Sequence, residues 1–136
     1  MIASALKPGM VHEDTLVVEE PHTAAHLGHG GLKVLATPVM VALMEAAARS
    51  VVDPNLEPGY LSVGTGLNIK HLAATPQGMR VRVRAELVRL AGRQLEFKVE
   101  VFDEKEKVGE GTHTRAIVNL KHFWDKLETK ADIGLA

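Results

Sequence analysis

Val34-Leu35-Ala36-Thr37-Pro38-Val39-Met40-Val41-Ala42-Leu43-Met44-Glu45-Ala46-Ala47-Ala48 is the stretch on which the fold turns. Glu45 is the only charged side chain in these fifteen residues. Thr37 followed by Pro38 reads as a helix start, since threonine is a good N-cap and proline is tolerated at the first helical position, where its missing N–H costs nothing. The pattern predicts a helix from Pro38 to about Val52, closed by Asp53-Pro54. A helix that is apolar nearly all round belongs inside something rather than on a surface. Its small residues (Ala42, Ala46, Ala47, Ala48), mixed with Met40, Leu43 and Met44, let a sheet approach closely around it.

Working outward, the flanks read as strands. Thr15 to Glu20 is a short one, ended by Pro21, which has no N–H for a ladder. His22 to Gly31, rich in glycine and histidine, is loop. Beyond the helix, Leu61 to Leu72 alternates Val63, Thr65, Leu67 and Ile69, while Met79 to Leu90 sets Val81, Val83, Ala85 and Leu87 against Arg80, Arg82, Arg84 and Glu86. Gln94 to Phe102 continues after the Ala91-Gly92-Arg93 turn, so these last two strands form an antiparallel hairpin. Lys107 to Leu120 is a further strand, and His122 to Lys130 a short terminal helix. One long antiparallel sheet must cover one apolar helix, and curling the sheet around it is the way to do so. That α+β arrangement is the hotdog fold. A single such sheet leaves an edge and an incompletely covered helix, so a homodimer is expected.

Composition narrows the function. At 136 residues the chain is expected to form one domain, residues 1–136. Sixteen Lys and Arg against 17 Asp and Glu give a formal charge of −1, with no excess to drive binding to nucleic acid or an anionic membrane. Aromatics are only 4% of the chain, so the core is built from Val, Leu, Ala and Met. The absence of cysteine removes disulfides, thiolate metal sites and cysteine nucleophiles together, and fits a cytoplasmic protein. No signal peptide is visible, and the longest uncharged apolar run, Val34 to Met44, has 11 residues, too few to span a bilayer.

Chemistry has few places to sit. A lone carboxylate in an apolar helix is costly unless paired, protonated or open to a cavity, so Glu45 is the first candidate, with its pKa expected to rise if it is unpaired. Thr37 serves either as a simple N-cap or, beside the free N–H groups and positive dipole end of the helix, in stabilising an oxyanion. His71, where a strand opens into Ala73-Ala74-Thr75-Pro76, is the side chain type best suited to proton transfer near neutral pH. Gly64 and Gly66 weaken their strand, which suggests a bulge or the close approach of a ligand to backbone. They form no dinucleotide fingerprint, because no helix follows, and no cofactor is expected. His22, His26 and His29 match no standard ligand spacing, so no metal site is assigned. The row Arg80, Arg82, Arg84 reads as a solvated face, with phosphate binding as the lesser alternative.

Four blocks carry a family resemblance: Val34 to Glu45; Gly64-Thr65-Gly66; His71-Leu72-Ala73-Ala74-Thr75-Pro76-Gln77-Gly78; and Gly111-Thr112-His113-Thr114-Arg115-Ala116. Together, over about Met10 to Lys126, they resemble the hotdog-fold thioesterases related to fluoroacetyl-CoA thioesterase. The resemblance implies hydrolysis of a small acyl-CoA, with Thr37, Glu45 and His71 at the positions of the family's catalytic trio. Gly64 matches a glycine whose backbone lines that family's substrate site. Hydrolysis of a thioester needs an oxyanion site, an activated nucleophile and a proton for the leaving thiolate. Glu45 either attacks or activates water, His71 handles protons, and Thr37 orients the reacting group or is itself the nucleophile. Two other readings of the same cleft are a non-catalytic acyl-CoA-binding protein and a hotdog dehydratase, neither of which releases free thiol.

Overall fold

The computed structural model describes residues 2–134, side chains of 133 and 134 excepted. Five strands form one antiparallel sheet: β1 (Val11–Val17), β2 (Tyr60–His71), β3 (Arg80–Ala91), β4 (Gln94–Phe102) and β5 (Lys107–Asn119), in the order β1-β3-β4-β5-β2. Helix α1 spans Thr37–Val52 and packs on this sheet, and α2 (Leu120–Gly134) continues from the end of β5. This is the hotdog arrangement that the apolar helix and the period-two strands call for.

The strands obey their alternation closely. On β3 and β4 the odd positions Val81, Val83, Ala85, Leu87, Leu95, Phe97, Val99 and Val101 are all buried, facing the Met40, Met44, Ala47, Ala48, Val51 and Val52 side of α1. Gly109 on β5 makes that contact possible: a Cβ there would lie 2.5 Å from Sδ of Met40. Only hydrogen lets the helix sit this close to the strand.

Two expectations need correcting. The first strand runs over Val11–Val17 rather than Thr15 to Glu20, because pairing with β3 reaches from Val11 opposite Glu86 to Val17 opposite Arg80. The terminal helix is longer than expected, starting at Leu120. Helix α1 is left incompletely covered, as expected of a single sheet. Ala42 is exposed, while Val41, Leu43, Glu45 and Ala46 are half-buried, since one curled sheet covers one side of a cylinder. The sheet has edges too, and on the β2 edge Gly64 to Asn68 are all exposed.

Candidate active site

Thr37 and His71 meet at one end of α1. Leu35 donates its N–H to the Thr75 carbonyl at 2.8 Å, and Val34 bridges to Pro76, so the segment entering α1 is tied to the loop leaving β2. Leu72 donates to the Val108 carbonyl at 2.7 Å and fixes the strand's exit. The result is a distance of 2.7 Å between Thr37 Oγ1 and His71 Nδ1. Thr37 is therefore not the N-cap. That place belongs to Ala36, which has no side-chain cap bond, and Thr37 is the first helical residue with its hydroxyl turned to the imidazole.

The first turn of α1 has few N–H groups to spare. Ala36 donates to the His22 carbonyl at 2.9 Å, Val39 to the Ala36 carbonyl at 3.1 Å, and Pro38 has no N–H at all. Among the described residues this leaves the Thr37 N–H without a partner, beside its own hydroxyl at the positive end of the helix dipole. Burial holds the His71 pKa below the ordinary histidine value of 6.5, with the Ala73 backbone working in the opposite direction. The ring is thus neutral at physiological pH and able to accept a proton. Among the described residues its buried Nε2 has no hydrogen-bond partner. Thr37 and His71 open, with Val34, Leu72, Ala73 and Ala74, on a surface depression of about 420 Å³.

Glu45 stands elsewhere, against the β2 bulge. A Cβ on Gly64 would lie only 2.8 Å from Glu45 Oε2, so the carboxylate rests directly over that glycine. The same Oε2 is 3.8 Å from Arg115 Nη1. Of the alternatives open to a carboxylate on this helix, the structure shows exposure and pairing: the Glu45 side chain is 41% exposed and faces a guanidinium. Arg115 is itself 3% exposed and is held by Ser62, to whose Oγ and carbonyl it donates through Nε and Nη2, each at 2.8 Å. Ser62 in turn donates to Asp53 Oδ1 at 2.7 Å. Burial lowers the Arg115 pKa, opposed by the Asp53 and Glu45 charges, and a guanidinium keeps its proton under such conditions.

Of the residues singled out in the sequence, the fold brings Thr37 to His71 and Glu45 to Gly64. It does not hydrogen-bond the two pairs to each other. Eight residues of helix separate Thr37 from Glu45, or about 12 Å of rise. His113, Arg115, Ser62 and Asp53 were missed. The signal for two of them was present: period two on β5 puts His113 and Arg115 on the same face as Ile117, and all three are buried.

Four of the other candidates are tied into local contacts. Arg82 pairs with Glu13 at 3.1 Å and Arg84 with Glu86 at 3.0 Å, as a solvated face does. His22 Nδ1 accepts from the Glu19 N–H at 2.9 Å, and His26 Nδ1 lies 3.1 Å from Glu20 Oε1. Among the described residues no group of three or more His, Cys, Asp or Glu is gathered to hold a metal ion, and no helix is long and apolar enough to cross a membrane.

The sheet curled on one apolar helix defines a hotdog protein. A hot-dog-like protein from Thermanaerovibrio acidaminovorans matches the fold with a TM-score of 0.86 at 18% identity, covering 92% of this chain and 93% of that one. The family model for fluoroacetyl-CoA-specific thioesterases matches residues 18–121. The fluoroacetyl-CoA thioesterase of Streptantibioticus cattleyicolor is 43% identical over 102 residues, 75% of this chain and 73% of that protein. A solved structure of a fluoroacetyl-CoA thioesterase variant in complex with acetyl-CoA is 37% identical with a TM-score of 0.86, covering 92% of this chain and 98% of that one. The chain belongs to the fluoroacetyl-CoA-specific thioesterase family, and it is a thioester hydrolase.

Proposed function

We propose that the protein hydrolyses a small acyl-CoA thioester to free acid and CoA, with Thr37, His71 and Glu45 as catalytic residues and Gly64 in the substrate site. The observation that carries this reading is the Thr37 Oγ1 to His71 Nδ1 distance of 2.7 Å. A neutral imidazole in contact with a hydroxyl can take a proton from that hydroxyl, or from a water held by it, as oxygen attacks the thioester carbonyl. The Thr37 N–H, without a partner among the described residues, stands at the positive end of α1 and would stabilise the negative charge gathering on the carbonyl oxygen. When the tetrahedral intermediate collapses, the C–S bond breaks and the imidazolium returns its proton to the CoA thiolate; with water as nucleophile this leaves the free acid, and with Thr37 or Glu45 as nucleophile a water molecule then hydrolyses the acyl-enzyme to the free acid and restores the side chain. Glu45 reaches the reacting centre through the bound ester or a second copy of the chain, as nucleophile or as the base that activates water.

The chain acts in this reading as one catalytic domain in the cytoplasm, and as a homodimer. The exposed β2 edge and the uncovered apolar side of α1 support the dimer, because a second copy would cover both. Free-thiol release from a panel of short, branched, aromatic and halogenated acyl-CoAs tests the activity. Release by wild type that collapses in Glu45→Gln and His71→Ala supports hydrolysis. Binding of CoA esters without release overturns it and leaves the acyl-CoA-binding or dehydratase readings.

A further inference from the structure

His113 has no part in the chemistry above, yet it is 2% exposed and joins two pieces of the site. Its Nδ1 lies 2.7 Å from the Gly66 carbonyl oxygen, on the β2 bulge between Gly64 and Gly66. A carbonyl can only accept, so Nδ1 carries the hydrogen. In the neutral ring Nε2 is then an acceptor, and it lies 3.2 Å from Arg115 Nη1, which can only donate. One tautomer satisfies both contacts. The imidazolium satisfies only the first, since its Nε2–H would point at a guanidinium. With Ser62 holding Nε and Nη2, the His113 contact completes a clamp on Arg115 that leaves Nη1 facing Glu45. The ring also borders the carboxylate's own resting place: Cε1 of His113 and Oε2 of Glu45 are 3.4 Å and 2.8 Å from where a Gly64 Cβ would stand.

We infer that His113 is a positioning residue, a neutral buttress that locks the β2 bulge to the Arg115 guanidinium and so sets where the Glu45 carboxylate stands. This deepens the hydrolytic reading and rests on the role given there to Glu45. The charged groups facing the ring are Arg115, which opposes its protonation, and Glu45, which favours it. Burial is the larger influence and keeps the ring neutral, pushing its pKa below 6.5.

Two measurements test it. In wild-type protein, imidazole ¹⁵N chemical shifts are expected to show the Nδ1–H tautomer at neutral pH; an Nε2–H ring or an imidazolium overturns the inference. In thiol-release kinetics, His113→Leu is expected to lower kcat by about 10- to 100-fold while KM stays within about threefold, the mark of a misplaced catalytic group. His113→Gln keeps one donor and one acceptor at similar spacing, and is expected to restore most of kcat. Should His113→Leu fail to fold, His113→Gln and the ring shifts decide. An active wild type in which His113→Leu is silent, raises only KM, or is not rescued by glutamine sinks this inference alone. A wild type that releases no thiol sinks the hydrolytic reading and this inference with it.

Discussion

The Thr37 hydroxyl sits 2.7 Å from Nδ1 of His71, although 34 residues separate the two along the chain. Neither partner is needed there to complete an element: Ala36 caps the helix without a side chain, and His71 is the last residue of its strand. Thr37→Val, which keeps the shape and loses the hydroxyl, is expected to lower kcat for thiol release by about 10²- to 10⁴-fold, the range for losing one positioned proton-transfer partner. Thr37→Ser should retain more activity than Thr37→Val. Equal activity in all three proteins would remove Thr37 from the mechanism.

Glu45 combines exposure with a long ion-pair distance, so its charge contributes little to folding. Glu45→Gln is expected to change unfolding free energy by less than about 1 kcal/mol, as exposed pairs do. Thiol release should collapse in the same protein. Denaturant unfolding and kinetics on one preparation separate the two effects, and a large stability loss would recast Glu45 as structural.

Two glycines are expected to respond differently to the same added methyl group. In Gly64→Ala the new Cβ would sit 2.8 Å from Glu45 Oε2, the far end of a flexible side chain, so the carboxylate moves and the fold survives. Activity should fall on the order of 10²-fold for a displacement of about 1 Å. In Gly109→Ala the Cβ would lie 2.5 Å from Met40 Sδ inside the core. The expected loss there is about 1–3 kcal/mol of stability from overpacking. Thermal melts and thiol release on both variants check the contrast.

Acid should weaken both fold and activity through two imidazoles, the half-buried His71 and the buried His113. His71 and His113 each have a pKa held below 6.5, chiefly by burial, so between the folded values and 6.5 the unfolded chain binds more protons than the native one. Their contribution to stability is complete above pH 6.5 and is lost as pH falls through the folded values. Melting temperature measured from about pH 8 down to about pH 5 should decline below 6.5, and decline less in His113→Gln. The kcat profile should show an acid limb below 6.5 as His71 is protonated.

Light scattering on the purified protein is expected to give about twice the 14.7 kDa chain mass. Leu67→Lys, which places a charge on the exposed β2 edge, should shift the protein toward monomer. A monomeric wild type that still hydrolyses thioesters would show that one chain holds a complete site.

Local pattern and tertiary contact divide cleanly in this molecule. Thr37-Pro38 and Asp53-Pro54 bracket α1 within a residue of its observed ends, because start and stop signals act through the backbone of the same few residues. Val81 to Leu87 and Leu95 to Val101 declare their buried face by period two, and the hairpin between them needs only the turn at Gly92. The candidate site was legible in residue types: a carboxylate in an apolar helix, a histidine at a strand end, and a glycine pair that does form a bulge. Its wiring was not. Whether the Thr37 hydroxyl caps its own helix or meets His71 depends on how the entry to α1 is pinned to Thr75 and Pro76, a contact across about forty residues. Whether Glu45 is lone or paired depends on Arg115, seventy residues further on, being drawn inward by Ser62 and Asp53. By itself the sequence determined the helix, the strands and the face each one buries, since those follow from near-neighbour sterics and the spacing of apolar side chains. Only the tertiary structure decided which polar groups share a hydrogen bond, because each such bond depends on angstrom-scale distances between segments that meet only when the sheet has curled around the helix.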